Sequence, residues 1–96
     1  IPDRDRTQRL VEYSPEDFEL PPGRGERYTI VEIVAFAGRS IEAKRTLYRQ
    51  IVRRFEALGI PPLDVFIVIH EQPTQNWGIH GGQAACDLDL GFAVSV

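Results

Sequence analysis

Residues 28–71 decide the fold: YTIVEIVAF (28–36), AGRS (37–40), IEAKRTLYRQIVRRFEALG (41–59), IPPLD (60–64) and VFIVIHE (65–71). The first and last segments are nearly continuous in β-branched, aromatic and aliphatic residues, as in strands covered on both faces. The middle segment repeats apolar residues at intervals of three and four: Leu47, Tyr48, Ile51, Val52, Phe55 and Leu58. That spacing gives a helix over 40–58 one core-facing stripe. Ser40 is placed as its N-cap, and Glu42 sits in the first turn, where the dipole favours an acid. Gly59 reads as a left-handed C-cap, and Pro61-Pro62 prevent continuation. A helix between two such strands makes them parallel neighbours in a right-handed βαβ unit. Ligands of such units gather at the carboxyl ends of the strands, so the turn Ala37-Gly38-Arg39-Ser40 is the first candidate site.

Outward from this unit the pattern weakens. Residues 1–6 read as a loop, and residues 7–13 (TQRLVEY) alternate enough to predict a short strand. Ser14-Pro15 opens a turn with Ser14 as a candidate cap. Residues 18–27 form a loop punctuated by two prolines and two glycines. After residue 71, Gly81-Gly82 are placed at the bend of a hairpin. Leu88, Leu90, Phe92 and Val94 alternate, which predicts a C-terminal strand or strand pair. The fold class expected is therefore α/β (α+β), with strands near 7–13, 28–36 and 65–71, a C-terminal strand or hairpin, and one main helix.

Ninety-six residues allow one small domain. With 43% hydrophobic and 26% charged residues, the balance is that of an ordinary globular protein. A net charge of −3 argues against a nucleic-acid partner. No apolar run reaches about 18 residues, so no membrane span is expected. The polar start shows no signal peptide, and the single cysteine, Cys86, excludes an internal disulfide. The expected compartment is the cytoplasm.

Two physical tensions remain. Glu32 lies in the first strand on the parity of Ile30 and Val34. It either faces a partner or a wet channel and pairs with an arginine, or it is a site carboxylate. Further, one helix covers only part of one sheet face. The other apolar face must meet another subunit or further polypeptide.

The chemical inventory is short. There is no phosphate-binding loop, no zinc-protease motif and no dinucleotide fingerprint. His70 and His80 stand in no metal-ligand spacing, so neither a metal nor a cofactor is expected. No serine sits on a nucleophile elbow, and Cys86 reads as a small apolar residue. The arginines Arg45, Arg49 and Arg53 form a solvated helix face. Arg39 remains. It either ties down its turn or grips an anion bidentately.

The ordered signatures Gly38-Arg39-Ser40, Glu42-x-Lys44, Gly59-Ile60-Pro61-Pro62-x-Asp64-Val65 and Asn76-Trp77 resemble the tautomerase superfamily, in the branch that includes malonate semialdehyde decarboxylase. Residues 1–8, with Pro2, Asp5, Arg6 and Gln8, resemble the family's link from first helix to second strand. The resemblance spans essentially the whole chain. It implies a protomer of two βαβ halves, with residues 1–27 ending the first half and 28–96 forming the second. It also implies a homotrimer packed sheet-inward. The family's acid or base is an amino-terminal proline. Pro2 does not match it, because an amide nitrogen has no lone pair for proton transfer. A strand and a helix of about 25 residues are expected upstream.

Carried over by position, Arg39 matches a carboxylate-binding arginine. Asp5 matches an acid that supports the site and activates water in the decarboxylase branch, although a turn-forming role competes. Trp77 and Ile79 match an apolar pocket wall, with core packing the alternative for Trp77. The decarboxylase's second arginine corresponds to Ala37 here, which disfavours decarboxylase or dehalogenase-type hydratase chemistry. The expected function is proton transfer alpha to a carbonyl in a small 2-oxo acid, with Arg39 and Asp5 as catalytic residues. The alternative is a non-catalytic oligomeric small-ligand binder, or a structural subunit, on the same scaffold.

Overall fold

Strand β1, Thr29–Phe36, and strand β2, Val65–Gln72, pair in parallel from Thr29↔Val65 to Phe36↔Gln72. Helix α1, Ile41–Ala57, makes the crossover between them. The structure, a computed structural model, describes residues 8–91.

The helix begins and ends where its sequence demands. The Ser40 side chain accepts a hydrogen bond from the Ala43 N–H at 3.1 Å, a cap worth about 1 kcal/mol. At the other end Gly59 N–H reaches Glu56 O at 2.9 Å and Ile60 N–H reaches Phe55 O at 3.0 Å. Those two bonds form a Schellman motif, which needs the left-handed φ of 91° at Gly59. Between these caps Leu47, Tyr48, Ile51, Val52 and Phe55 are half-buried, and Arg45, Arg49 and Arg53 are exposed. Leu58 departs from the expected stripe. As the C-cap residue it has left the helical face and is exposed.

Alternation along the strands shows which face α1 covers. Val31, Ile33 and Ala35 are half-buried, while Ile30, Glu32 and Val34 are exposed. Lys44 of α1 pairs with Glu71, which stands opposite Ala35, so the helix lies on the odd-numbered face. The even-numbered face is open: Val34 is 63% and Phe66 53% exposed. Glu32 meets His70 there at 3.6 Å, not the arginine expected from sequence. A histidine two positions past its cross-strand partner lies diagonally within reach, and no arginine of β1 or β2 exists to compete.

The remainder has little regular structure. Residues 8–14 do not form the predicted strand; Thr7 lies outside the described residues. An isolated strand has no ladder to join, and alternation alone cannot supply one. Pro15–Asp17 is a single 3-10 turn, and Ser14 Oγ donates to Asp17 Oδ2 instead of capping the backbone. Strands β3 (Gly78–Ile79) and β4 (Gln83–Ala84) form the expected hairpin, turning through His80, Gly81 and Gly82. Residues 88–91 are not strand, and the rest of the predicted C-terminal strand lies outside the described residues.

Packing is correspondingly thin. Among the described residues Ala85 is the single buried apolar side chain. The radius of gyration is 16.2 Å, against about 12 Å for a compact chain of this length. The mixed βαβ architecture matches the class expected from sequence, but the described residues do not enclose a core.

At the lower end of the sheet the loop before β1 is fastened to the loop before β2. Asp64, 5% exposed, accepts the Gly25 N–H on Oδ1 at 3.1 Å. Arg27 donates to Gly59 O at 3.2 Å.

Candidate functional site

The carboxyl ends of β1 and β2 carry the candidate site. The turn after β1 uses Gly38 at φ 129°, a conformation L side chains rarely adopt, so a glycine is required immediately before Arg39. Arg39 is half-buried, and one of its guanidinium nitrogens donates to Phe36 O at 3.0 Å. The first of the two expected roles is therefore present: the side chain braces its own turn, and it has no acidic partner among the described residues.

Trp77 reaches the same place from the other side. Its ring meets Phe36 edge-on, with centroids 4.7 Å apart and planes at 67°. Its Nε1–H donates to Gln72 O at 3.2 Å. That carbonyl also accepts the Ala37 N–H at 2.8 Å. Gln72 O is thus a shared acceptor joining the Arg39 turn to the Trp77 loop. Sequence reading missed it, because a backbone carbonyl leaves no mark in residue identity. The Gln72 side chain accepts from Asn76 Nδ2 at 2.8 Å, which fixes the 3-10 turn Thr74–Asn76 leading to Trp77.

The hairpin completes the support. Ala85 N–H donates to Trp77 O at 2.9 Å. Ile79 is half-buried in β3, two residues along the chain from Trp77. Asp5 lies outside the described residues. The ion pair of Lys44 with Glu71, also missed from sequence, ties α1 to the end of β2 beside the turn. Both groups are one-quarter exposed or less, so the pair is shielded but not sealed.

Among the described residues, the candidate site so built offers the Arg39 guanidinium, the Phe36–Trp77 aromatic pair and a braced turn. Among the described residues no three His, Cys, Asp or Glu side chains gather as metal ligands. None of the described helices is long and apolar enough to cross a membrane.

Comparison with known proteins follows the same outline. Residues 5–80 match the family model described as tautomerase enzyme. The chain is 39% identical over 54 residues to 2-hydroxymuconate tautomerase of Comamonas testosteroni, covering 55% of this chain and 86% of that protein. It is 27% identical over 90 residues to the protein described as probable tautomerase YusQ of Bacillus subtilis (strain 168), covering 88% and 71% respectively. Among solved structures, malonate semialdehyde decarboxylase inhibited by 3-bromopropiolate aligns with a TM-score of 0.69 at 32% identity, over 88% of this chain and 68% of that one. With the βαβ unit, the glycine-dependent turn and a family match over most of its length, the chain belongs to the tautomerase superfamily.

Proposed function

We propose that the protein is a tautomerase that moves a proton alpha to the carbonyl of a small 2-oxo acid, with Arg39 binding the substrate carboxylate. One observation carries this reading. Arg39 is a half-buried guanidinium at the carboxyl edge of the sheet, braced by Phe36 O and lacking an acidic partner among the described residues. A planar fork so held has donors left for a bidentate carboxylate. Binding there draws electron density away from the reacting carbon and favours the enolate that proton removal creates. Trp77 and Ile79 form the apolar wall, which excludes water and strengthens that electrostatic contact.

The proton itself is assigned to the secondary amine of an amino-terminal proline preceding residue 1, with Asp5 supporting the site. Residues 1–27 then complete a first βαβ half and 28–96 make the second. The open sheet face packs inward in a homotrimer, which would supply the burial that the protomer lacks. The location proposed is the cytoplasm.

The test is enol-to-keto conversion of phenylenolpyruvate by the full-length protein, followed by ultraviolet absorbance. A charge-assisted contact of about 1.5–3 kcal/mol predicts a drop of about 10- to 150-fold in kcat/KM for Arg39→Ala, with partial retention in Arg39→Lys. Equal rates in wild type and Arg39→Ala would remove Arg39 from the mechanism. Carboxylate binding without turnover would favour the non-catalytic binder.

A further inference from the structure

Between β2 and β3 the chain makes a tight loop, and two side-chain bonds that fasten it converge on one residue. Gln72 ends the β1–β2 ladder, paired with Phe36. Its Oε1 accepts from Asn76 Nδ2 at 2.8 Å, and its backbone O accepts from Trp77 Nε1 at 3.2 Å. Within the loop, Asn76 N–H donates to Pro73 O at 2.9 Å and Trp77 N–H to Thr74 O at 3.3 Å. Pro73 holds φ at −63°, so one soft torsion of the loop is already set by its ring.

The two bonds have different consequences. Gln72 O also holds the Ala37 N–H at 2.8 Å, so with the indole both of its lone pairs are occupied. The indole has a single N–H, and it is used there. Trp77 therefore offers a ligand its ring and no donor. The angle of that ring to Phe36, 67° at 4.7 Å, depends on the path of residues 73–77, and the Asn76 side chain closes that path onto the strand. Loss of the Asn76 bond leaves the Ala37 N–H in place. The backbone before Arg39 then stays as it is, while the indole is released.

We infer that Gln72 and Asn76 are positioning residues: the bond between their side chains holds the Trp77 ring against Phe36, where the proposed function puts the apolar wall of the Arg39 site. The inference rests on that reading of Trp77 and adds two residues that act through it. A released ring contacts substrate and transition state equally less well. That is a loss of uniform binding, which raises KM and leaves kcat close to its wild-type value.

Full-length protein carrying Asn76→Leu or Gln72→Met tests this with phenylenolpyruvate, since both changes keep side-chain size and remove the bond. One neutral hydrogen bond corresponds to a rise of about 2- to 12-fold in KM, with little change in kcat. Gln72→Glu retains an acceptor oxygen for Asn76 and should show less of the effect than Gln72→Met. The double variant should be no worse than the worse single one, because either change breaks the same bond. Trp77 is the single tryptophan of these 96 residues, and subtracting the spectrum of Trp77→Phe isolates its emission in the full-length protein. In Asn76→Leu that emission should move to longer wavelength and be quenched more readily by acrylamide. A Tm that falls while KM and emission below Tm match wild type would reduce the bond to holding the fold and overturn the inference. Additive effects of the two variants would overturn it as well. The emission readout needs no turnover: equal rates in wild type and Arg39→Ala remove the anchor, whereas unmoved Trp77 emission removes the positioning role alone.

Discussion

Asp64 allows a prediction that separates stability from activity. Its carboxylate is buried and takes the Gly25 N–H at 3.1 Å, fastening the loop before β1 to the 3-10 turn Pro62–Asp64. Asp64→Ala leaves that N–H without its acceptor and removes a charge-assisted bond, a loss of about 1–3 kcal/mol. For a chain of this size a mid-range value of about 2 kcal/mol lowers Tm by about 8–16 °C. Asp64→Asn retains an acceptor oxygen and should cost less. Gly25 supplies the second half of the experiment. A Cβ there would stand 2.8 Å from Asp64 Oδ2, closer than real Cβ contacts, so Gly25→Ala alone is destabilising. In the Asp64→Ala background the obstructing oxygen is gone, and the same change should cost much less. The two sites are thus coupled, and the interaction energy of the double-mutant cycle measures the contact. Thermal denaturation followed by circular dichroism gives all four values. The anchor lies at the end of the sheet opposite Arg39, so turnover of phenylenolpyruvate below Tm should not change. Additive effects of Gly25→Ala and Asp64→Ala, or an unaltered Tm in Asp64→Ala, would refute the reasoning.

Three further outcomes follow from the geometry. Trp77→Phe keeps an aromatic against Phe36 but loses the Nε1–H bond to Gln72 O; it should raise KM more than it lowers kcat, while Trp77→Ala, losing an aromatic pair worth about 0.5–1.5 kcal/mol as well, should impair both. His80 sits exposed at φ 52° in the β3–β4 turn, so His80→Gly should raise Tm, by relief of about 1 kcal/mol of left-handed strain; a lower Tm would contradict that. Lys44 and Glu71 are partly shielded, and a double-mutant cycle with Lys44→Met and Glu71→Gln should give a coupling of about 1 kcal/mol, shrinking as salt is raised.

Local physics made the βαβ unit readable from the chain. Ser40 and Gly59 mark the helix ends because capping depends on one side-chain oxygen and one positive φ, both properties of a residue type. Strands β1 and β2 were legible because β-branched runs bounded by turns have few alternatives. The predicted strand at residues 7–13 failed over its described part for the complementary reason: alternation is necessary for a strand, but a neighbour must supply the ladder. Side chains of the candidate site could be proposed from the sequence, but not the bonds that join them. Arg39 and Trp77 could be named, yet their connection runs through the carbonyls of Phe36 and Gln72.

Sequence by itself determined that the chain makes a crossover unit with Arg39 behind a glycine turn, and that one sheet face would be left uncovered. Those features depend on residue type and spacing along a few turns of backbone. Only the tertiary structure decided the partners across long separations: Lys44 with Glu71, Gly25 with Asp64, and Glu32 with His70. Such pairings depend on strand register and on which face the helix chooses. A shift of one residue in register would exchange every inward and outward side chain, and no single position in the sequence records that choice.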